Sequence, residues 1–235
     1  MKARSLSLKI FVLLLAIVVL ALLAPASVGL AESSGNPRVL PPSSTPIDIS
    51  YGEWRARWWQ WAVGQPASVS PLQDTTGEFC AVGQTGKVWF LAGTMFGGSF
   101  TRSCTIPADK AVYFPVANAF CTDVGTGATP EEMLECAKQY MDTATDLSAE
   151  LDGVPFKNLE SYRVRYSAED FDLTLPPDNI FEAPAGVYGP TGADGIQLML
   201  VPLSVGHHIL HFHALFPGSD PIDGTYYLTI APAAP

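Results

Sequence analysis

The sequence predicts a mainly β fold: an antiparallel β-sandwich, immunoglobulin-like or jelly-roll in type, with two α-helices added to it. From residue 77 onward, short apolar or alternating runs are separated by Gly and Pro. Many short strands divided by such turns are typical of sandwiches and barrels. Two segments, residues 51–63 and 129–151, instead carry helical spacing or helix-start signals.

The first helix is predicted over residues 51–63, and Gly64 and Pro66 end it. Its four largest aromatic side chains recur at helical spacing on one face: Tyr51, Trp54, Trp58 and Trp61. We expect this face to pack onto the sandwich, because aromatic platforms that stack on sugar rings usually lie on sheets or loops. Trp59 lies off the stripe, beside Arg55 four residues earlier, and is expected to be partly exposed in a cation–π contact.

The second helix is predicted over residues 129–151. Thr129 can cap its start, Pro130 suits the first helical position, and Glu132 completes a capping box. The Asp-Gly pair at 152–153 is expected to end it. Its apolar side is formed by Met133, Cys136, Ala137 and Tyr140.

The strands are predicted from apolar or alternating runs. They cover residues 87–92, 100–106, 111–116, 162–166, 171–175, 195–201, 207–216 and 225–230. The strand at 100–106 could pair with residues 77–82, which would bring Cys104 near Cys80. Pro115 cannot donate a backbone hydrogen bond, so it indicates a sheet edge or a β-bulge.

The cysteine count predicts disulfide bonds. There are four cysteines: Cys80, Cys104, Cys121 and Cys136. An even count in an exported chain is typical of two disulfides, for which three pairings are possible. We favour Cys80–Cys104 and Cys121–Cys136, because each joins neighbouring segments. The spacings contain no C-x-x-C, which argues against a zinc site or a redox-active pair.

The N-terminus has the parts of a secretory signal peptide. Lys2, Arg4 and Lys9 precede an apolar run, and small residues follow it. We favour cleavage after Ala31, although the site after Ala26 also fits. An uncleaved anchor is the alternative, because the charge-free stretch 10–30 is long enough to span a bilayer.

The chain is therefore divided into three parts. Residues 1–31 form the signal peptide, residues 32–46 a Pro/Ser-rich spacer, and residues 47–235 a single sandwich domain. No second apolar stretch of spanning length follows the signal, so we expect no stable membrane span after cleavage. The predicted location is secreted, periplasmic or at the cell surface.

The charge balance excludes some partners. The chain has 13 basic and 23 acidic residues, a net charge of −10. Loss of the three basic residues of the signal leaves ten basic residues, a net charge of −13. A surface this acidic repels nucleic acid and anionic lipid.

The last third of the chain resembles the ending of immunoglobulin-like bacterial sandwiches. In that ending a Pro-x-x-x-Gly turn leads into a strand, and a final Tyr-x-Leu-Thr strand follows. The matching pieces are residues 202–206, 208–212 and 226–230. Together with residues 54–61, 87–93 and 106–118, they make the chain similar to a group of exported bacterial proteins of unassigned function. The resemblance implies a fold and a compartment, but no chemistry.

The histidines form one candidate site. All four fall within residues 207–213, on one predicted strand. Because alternate residues of a strand share a face, His207, His211 and His213 face one way, while His208 faces the core. A solvent-facing polar row is the favoured interpretation. The alternative is a zinc or copper site, because the imidazoles of a His-x-His pair can converge on one ion.

The sequence contains no catalytic motif. Its carboxylates are scattered, Ser99 lies in no G-x-S-x-G elbow, and a phosphate-binding glycine loop is missing. We therefore expect a non-enzymatic exported domain that binds or scaffolds an unknown ligand or a cell-surface component. One alternative is a secreted metal-binding protein or metalloenzyme that uses the histidines. Another is a secreted polysaccharide hydrolase, which needs two carboxyls facing each other across a cleft.

Overall fold

The computed structural model describes residues 38–233; the expected signal peptide, residues 1–31, lies outside them. The helices are α1 (Tyr51–Val63) and α2 (Pro130–Met141). The strands are β1 (Val88–Phe90), β2 (Gly98–Pro107), β3 (Ala111–Thr122), β4 (Thr145–Leu151), β5 (Val154–Pro155), β6 (Arg163–Ala168), β7 (Leu173–Leu175), β8 (Gly186–Tyr188), β9 (Thr191–Leu200), β10 (Gly206–Leu215) and β11 (Ile222–Ala231). The predicted mainly β fold with two added helices is confirmed.

Two larger sheets form the sandwich. The first has the order β1-β3-β9-β6 and the second the order β2-β11-β10-β4-β5, while β7 and β8 form a small separate hairpin. Most neighbouring strands are antiparallel, but β1 pairs with β3 and β2 pairs with β11 in parallel. The sheets are therefore mixed rather than purely antiparallel.

The central core lies between the two sheets. Phe114 and Leu198 of the first sheet belong to the same buried cluster as Phe212 and Leu228 of the second. Every residue of β9 is buried, because this strand is covered on both faces of its sheet. Strand β10 alternates instead between buried and more exposed residues, which is typical of a sheet with one face toward solvent.

Helix α1 covers the other face of the first sheet. A capping box between Ser50 and Glu53 starts it, and Gly64 follows its last residue. The aromatic stripe is buried in a second cluster with Tyr113 and Met199 of that sheet. Trp58 also donates from Nε1 to the Leu91 carbonyl at 3.0 Å. The predicted helix and its core-packing role are confirmed.

The expectation for Trp59 is wrong. Its side chain is only 3 % exposed, with the Phe120 ring 4.5 Å away. Arg55 is fully buried and donates to the Gly195 carbonyl at 2.6 Å. On this helix it is Arg57 that lies over an aromatic ring, that of Trp54. The segments packed around α1 therefore bury Trp59 and Arg55 as well as the aromatic face that helical spacing predicted.

Helix α2 is half as long as predicted. The Thr129–Glu132 capping box is present, but the helix ends at Met141, and residues 145–151 form β4. There Ala149 pairs with Phe212 and Leu151 with Leu210 across β10. Pairing with a strand some sixty residues away along the chain overrides local helix preference. The Asp-Gly pair at 152–153 has positive φ at both residues and forms the turn between β4 and β5.

Both favoured disulfides are present, Cys80–Cys104 and Cys121–Cys136. The expected pairing of residues 77–82 with β2 is wrong, because β2 pairs with β11 and residues 77–82 form turns. Near Cys80, the chain contacts β2 through a backbone hydrogen bond in which Ser103 N–H donates to the Thr76 carbonyl at 2.9 Å. The disulfide thus joins a turn to a strand.

Two further features concern the strand ends and edges. Pro115 lies inside β3, and the register with β9 shifts between Pro115 and Ala117, so the proline marks a bulge. Val39 bridges Leu200, and Leu40 donates to the Met199 carbonyl. The folded part therefore begins before residue 47. Within residues 38–233, no helix is long and apolar enough to cross a bilayer.

Candidate functional site

A cavity of about 630 Å³ lies beside β3. Its walls come from α1, β3, α2, the loop after β1 and the loop between β10 and β11. Six aromatic side chains line it: Trp58, Trp59, Phe96, Phe120, Tyr140 and Phe216. Ligand sites in proteins are mostly apolar concavities of about 300–1,000 Å³ with a few polar groups. This cavity has the size and the aromatic character of such a site.

Two of these aromatic side chains are exposed. Phe96 is 67 % exposed and Tyr140 is 61 % exposed. Phe96 lies in the loop after β1, which contacts the β10–β11 loop: Gly98 N–H donates to the Pro221 carbonyl at 3.0 Å. Gly97 has φ of 77° and lies against the Asp220 carbonyl, so a side chain cannot fit there. Exposed aromatic residues held beside a cavity are typical of binding surfaces.

The cavity follows an edge of the first sheet. Asn118, Ala119 and Phe120 are consecutive in β3, and all three line it. Because consecutive strand residues face opposite sides of a sheet, a space that touches all three must lie at the strand's edge. Trp59 of α1 lines the cavity in one layer, and Ile222 of the second sheet lines it in another. The cavity therefore reaches across the edge of β3 from one layer to the other.

Two unpaired donors lie in the walls of this cavity. Trp59 Nε1 and Asn118 Nδ2, on two cavity-lining residues, are buried and have no hydrogen-bond partner within residues 38–233. Among residues that do not line the cavity, the same is true of Arg55 Nε and Nη1, Gln197 Nε2 and Trp89 Nε1. A buried polar group left unpaired costs about 1–3 kcal/mol. The two donors in the cavity walls, Trp59 Nε1 and Asn118 Nδ2, are therefore complementary to acceptor atoms of a ligand.

Arg55 adds a buried positive charge. Its Nη2 donates to the Gly195 carbonyl. Asp194, the neighbouring carboxylate, is held instead by Arg163. Burial lowers the pKa of the Arg55 guanidinium from its ordinary value, and the charge of Asp194 opposes that shift. A buried positive and a buried negative charge thus lie close together here, and neither residue lines the cavity.

The histidine face lies elsewhere, on the outer side of the second sheet. The predicted alternation is found: His208 is buried, whereas His207, His211 and His213 lie on the opposite face of β10. Each of these three has its own partner. His207 Nδ1 is 3.3 Å from Thr229 Oγ1, His211 Nε2 is 2.6 Å from Asp223 Oδ1, and His213 Nε2 is 3.4 Å from Asp146 Oδ2.

These separate contacts bear on the metal hypothesis. Among residues 38–233 there is no group of three or more His, Cys, Asp or Glu side chains placed to hold a metal ion. His207, His211 and His213 share a face without a common centre. A zinc or copper site on them stays a prediction.

His208 makes an arrangement that the sequence did not indicate. Its Nδ1 is 2.7 Å from Asp152 Oδ2, and its Nε2 is 3.3 Å from Ser204 Oγ. The order Ser–His–Asp is that of a hydrolase triad, but Nε2 is closer to the Ser204 carbonyl, at 3.0 Å. That carbonyl favours a proton on Nε2, whereas a general base needs a free lone pair there. The arrangement is better explained as a structural hydrogen-bond network, the His208 network, in which His208 of β10 joins Asp152 to Ser204.

Asp152 is the acceptor of two hydrogen bonds in the His208 network. Burial alone raises the pKa of its carboxyl, but hydrogen bonds from His208 and from the Ile209 N–H hold that pKa below its usual range. Ser204 is four residues before His208, but Asp152 lies in a turn 56 residues away in the sequence, so no local motif could have identified the group.

The chain was compared with family models, curated proteins and solved structures. No family model and no curated protein matches the chain. The chain is similar to the solution structure of amebosin at 13 % identity, over 57 % of this chain and 96 % of that one. The TM-score is 0.21, which is too low to bear on fold or function. The proposed function therefore rests on the geometry of the aromatic cavity.

Proposed function

We propose that this protein is an exported, non-enzymatic binding domain whose ligand occupies the aromatic cavity beside β3. The observation that carries the proposal is the cavity itself: about 630 Å³, walled by six aromatic side chains. A ligand that places apolar groups there removes aromatic surface from water, which contributes about 25 cal/mol per Å².

The unpaired donors support the same site. Trp59 Nε1 and Asn118 Nδ2 belong to its walls and have no acceptor within residues 38–233. A ligand that brings an acceptor oxygen, directly or through a bridging water, relieves their cost. The expected ligand therefore combines an apolar or aromatic body with acceptor atoms.

The two disulfides support export. Disulfides persist in oxidising compartments and are rare in the cytosol. Together with the basic, apolar and small-residue pattern at the N-terminus, they favour a secreted, periplasmic or surface location. Intact-mass measurement of the natively expressed protein tests this. We expect a mature chain that begins at Glu32 and has no free thiol; a cytosolic, uncleaved and reduced chain would contradict it.

Titration with anilinonaphthalene sulfonate tests the cavity, because this dye has an aromatic body and a sulfonate acceptor. We expect saturable binding at one site, with a change in tryptophan fluorescence because Trp58 and Trp59 line the cavity. Ser219→Trp should weaken binding at least tenfold, because Ser219 is an exposed cavity-lining residue and a large ring there fills the space.

Val187→Trp is the matched control. Val187 is 66 % exposed on β8 and does not line the cavity. It introduces the same side chain elsewhere, so dye affinity should stay within twofold of the parent. Equal binding by the parent and Ser219→Trp, or no saturable binding by the folded parent, overturns the proposal.

A further inference from the structure

The edge of β3 that borders the cavity is open. Strand β1 pairs with β3 at three positions and ends with Phe90 opposite Tyr113. Leu91 N–H still donates to the Tyr113 carbonyl, and the chain then leaves through Gly93, which lies against the Pro115 ring. Beyond that point, no strand of the described chain pairs with this edge. The opposite edge of β3 pairs with β9 as far as Thr122.

An unpaired strand edge presents backbone donors and acceptors to another chain. Many proteins block such edges with lysine or proline. Here the open stretch from Ala117 to Thr122 contains neither, and two of its residues are alanines. The protective bulge at Pro115 precedes the open stretch and does not cover it.

The cavity lies along this same stretch, since Asn118, Ala119 and Phe120 line it. An extended peptide added to a sheet edge gains affinity from its main-chain hydrogen bonds and specificity from pockets that take its side chains. The aromatic walls provide a pocket at the place where the edge provides the hydrogen bonds. A peptide carbonyl is also an acceptor that Asn118 Nδ2 lacks.

The charge of the protein constrains such a partner. The chain has 23 acidic and 13 basic residues, and Asp220 directly follows the cavity-lining Ser219, where its backbone carbonyl lies against Gly97. A basic segment is therefore attracted and an acidic one is repelled.

We propose that an extended segment of a partner protein, rich in lysine or arginine, binds as an added strand along residues 117–122 of β3, with one aromatic side chain in the cavity. This inference rests on the proposed function and names the class of its ligand. Backbone pairing supplies most of the affinity, and the aromatic side chain fixes the register.

The test uses a short synthetic peptide that alternates lysine with valine or threonine around one phenylalanine. Binding to the full mature protein is measured by anisotropy and by displacement of anilinonaphthalene sulfonate. Two further peptides carry N-methyl groups on alternate amides, one in each frame. We expect saturable binding of the parent peptide, and at least a tenfold loss with one N-methylated frame, because only one set of amides faces β3. Replacement of lysine by glutamate should also weaken binding at least tenfold.

Protein variants locate the peptide. The double variant Phe96→Ser/Tyr140→Ser removes the exposed aromatic residues of the cavity and should weaken binding at least tenfold. Val154→Ser/Val187→Ser is its matched control, because both valines are exposed away from the cavity, and should bind as the parent does. Because the residues changed are exposed, the fold should survive in both, as circular dichroism checks.

The two proposals fail differently. If the dye binds the cavity and none of the peptides binds, the strand-addition inference is wrong and the binding-domain proposal stands. Equal affinity for both N-methylated frames and the parent peptide also rejects strand addition. If Ser219→Trp leaves dye binding unchanged, the proposed function itself is wrong.

Discussion

The histidine face and the aromatic cavity differ in how their polar groups are satisfied. On the face, His207, His211 and His213 each lie within 3.4 Å of a hydroxyl or carboxylate on a neighbouring strand. Around the cavity, Trp59 and Asn118 keep buried donors without partners within residues 38–233. The histidines therefore have hydrogen-bonding partners within the protein, whereas two buried donors around the aromatic cavity do not.

The largest expected effect of a single change is at the cavity wall. Trp58→Ala should lower the free energy of unfolding by about 3–5 kcal/mol, because it removes a large buried ring. It also deletes the hydrogen bond from Trp58 Nε1 to the Leu91 carbonyl. Urea unfolding followed by circular dichroism measures the loss. Ile209→Ala on the histidine face is the control, since Ile209 is 47 % exposed, and should cost under about 1 kcal/mol. Similar losses for the two variants would remove the energetic contrast between the regions.

The disulfide next to the cavity should come second. Cys121 and Cys136 tie β3 to α2, which carries Tyr140 of the cavity wall. Changing both to Ser should cost about 3 kcal/mol of stability, as expected for a loop of this length, and should weaken dye binding. Removal of Cys80–Cys104, whose residues do not line the cavity, should destabilise by a similar amount and leave dye affinity of the folded protein unchanged. The reverse pattern of dye affinities would show that α2 does not shape the cavity.

How far the sequence predicted these regions follows from the range of the interactions involved. Helix α1 was predicted to the residue, because the spacing of its aromatic residues and its terminal Gly64 are local signals. The alternation of β10 was also predicted, because strand periodicity is local. The second half of the predicted long helix was wrong, since Ala149 and Leu151 pair with distant β10.

The cavity could not be predicted for the same reason. Its walls come from residues as distant in sequence as Trp58, Asn118 and Phe216. The sequence predicted a partly exposed Trp59, whereas its side chain is only 3 % exposed. The open edge of β3 depends on where β1 ends its pairing, which no residue pattern in β3 reveals.

A smaller effect on stability is expected in the His208 network, which involves Asp152. Asp152→Asn should cost about 0.5–1 kcal/mol at neutral pH, because the carboxylate is 44 % exposed and solvent screens its interaction with His208. The pKa of Asp152 is lowered in the folded protein, so its stabilising contribution is present above about pH 4 and lost as pH falls through the lowered pKa. Unfolding free energies of parent and variant should therefore converge in acid. A difference that persists unchanged at pH 2 would exclude the carboxylate as its source.

The smallest effect is expected from the exposed histidines. His211→Ala/His213→Ala should change stability by no more than about 1 kcal/mol, because both histidine pairs are partly exposed. In calorimetric titrations of untagged protein with zinc and with copper, the variant should behave as the parent does. Stoichiometric metal binding by the parent that the variant loses would establish the metal site and make the face a functional region.

Hydrogen exchange compares the two regions in one experiment. Exchange is measured with and without saturating anilinonaphthalene sulfonate, over residues 94–97, 117–122 and 216–219 around the cavity and over residues 206–213 of the histidine face. We predict slower exchange in the cavity segments and no change on β10. Unchanged exchange around the cavity, with protection confined to residues 206–213, would contradict the assignment of the binding site.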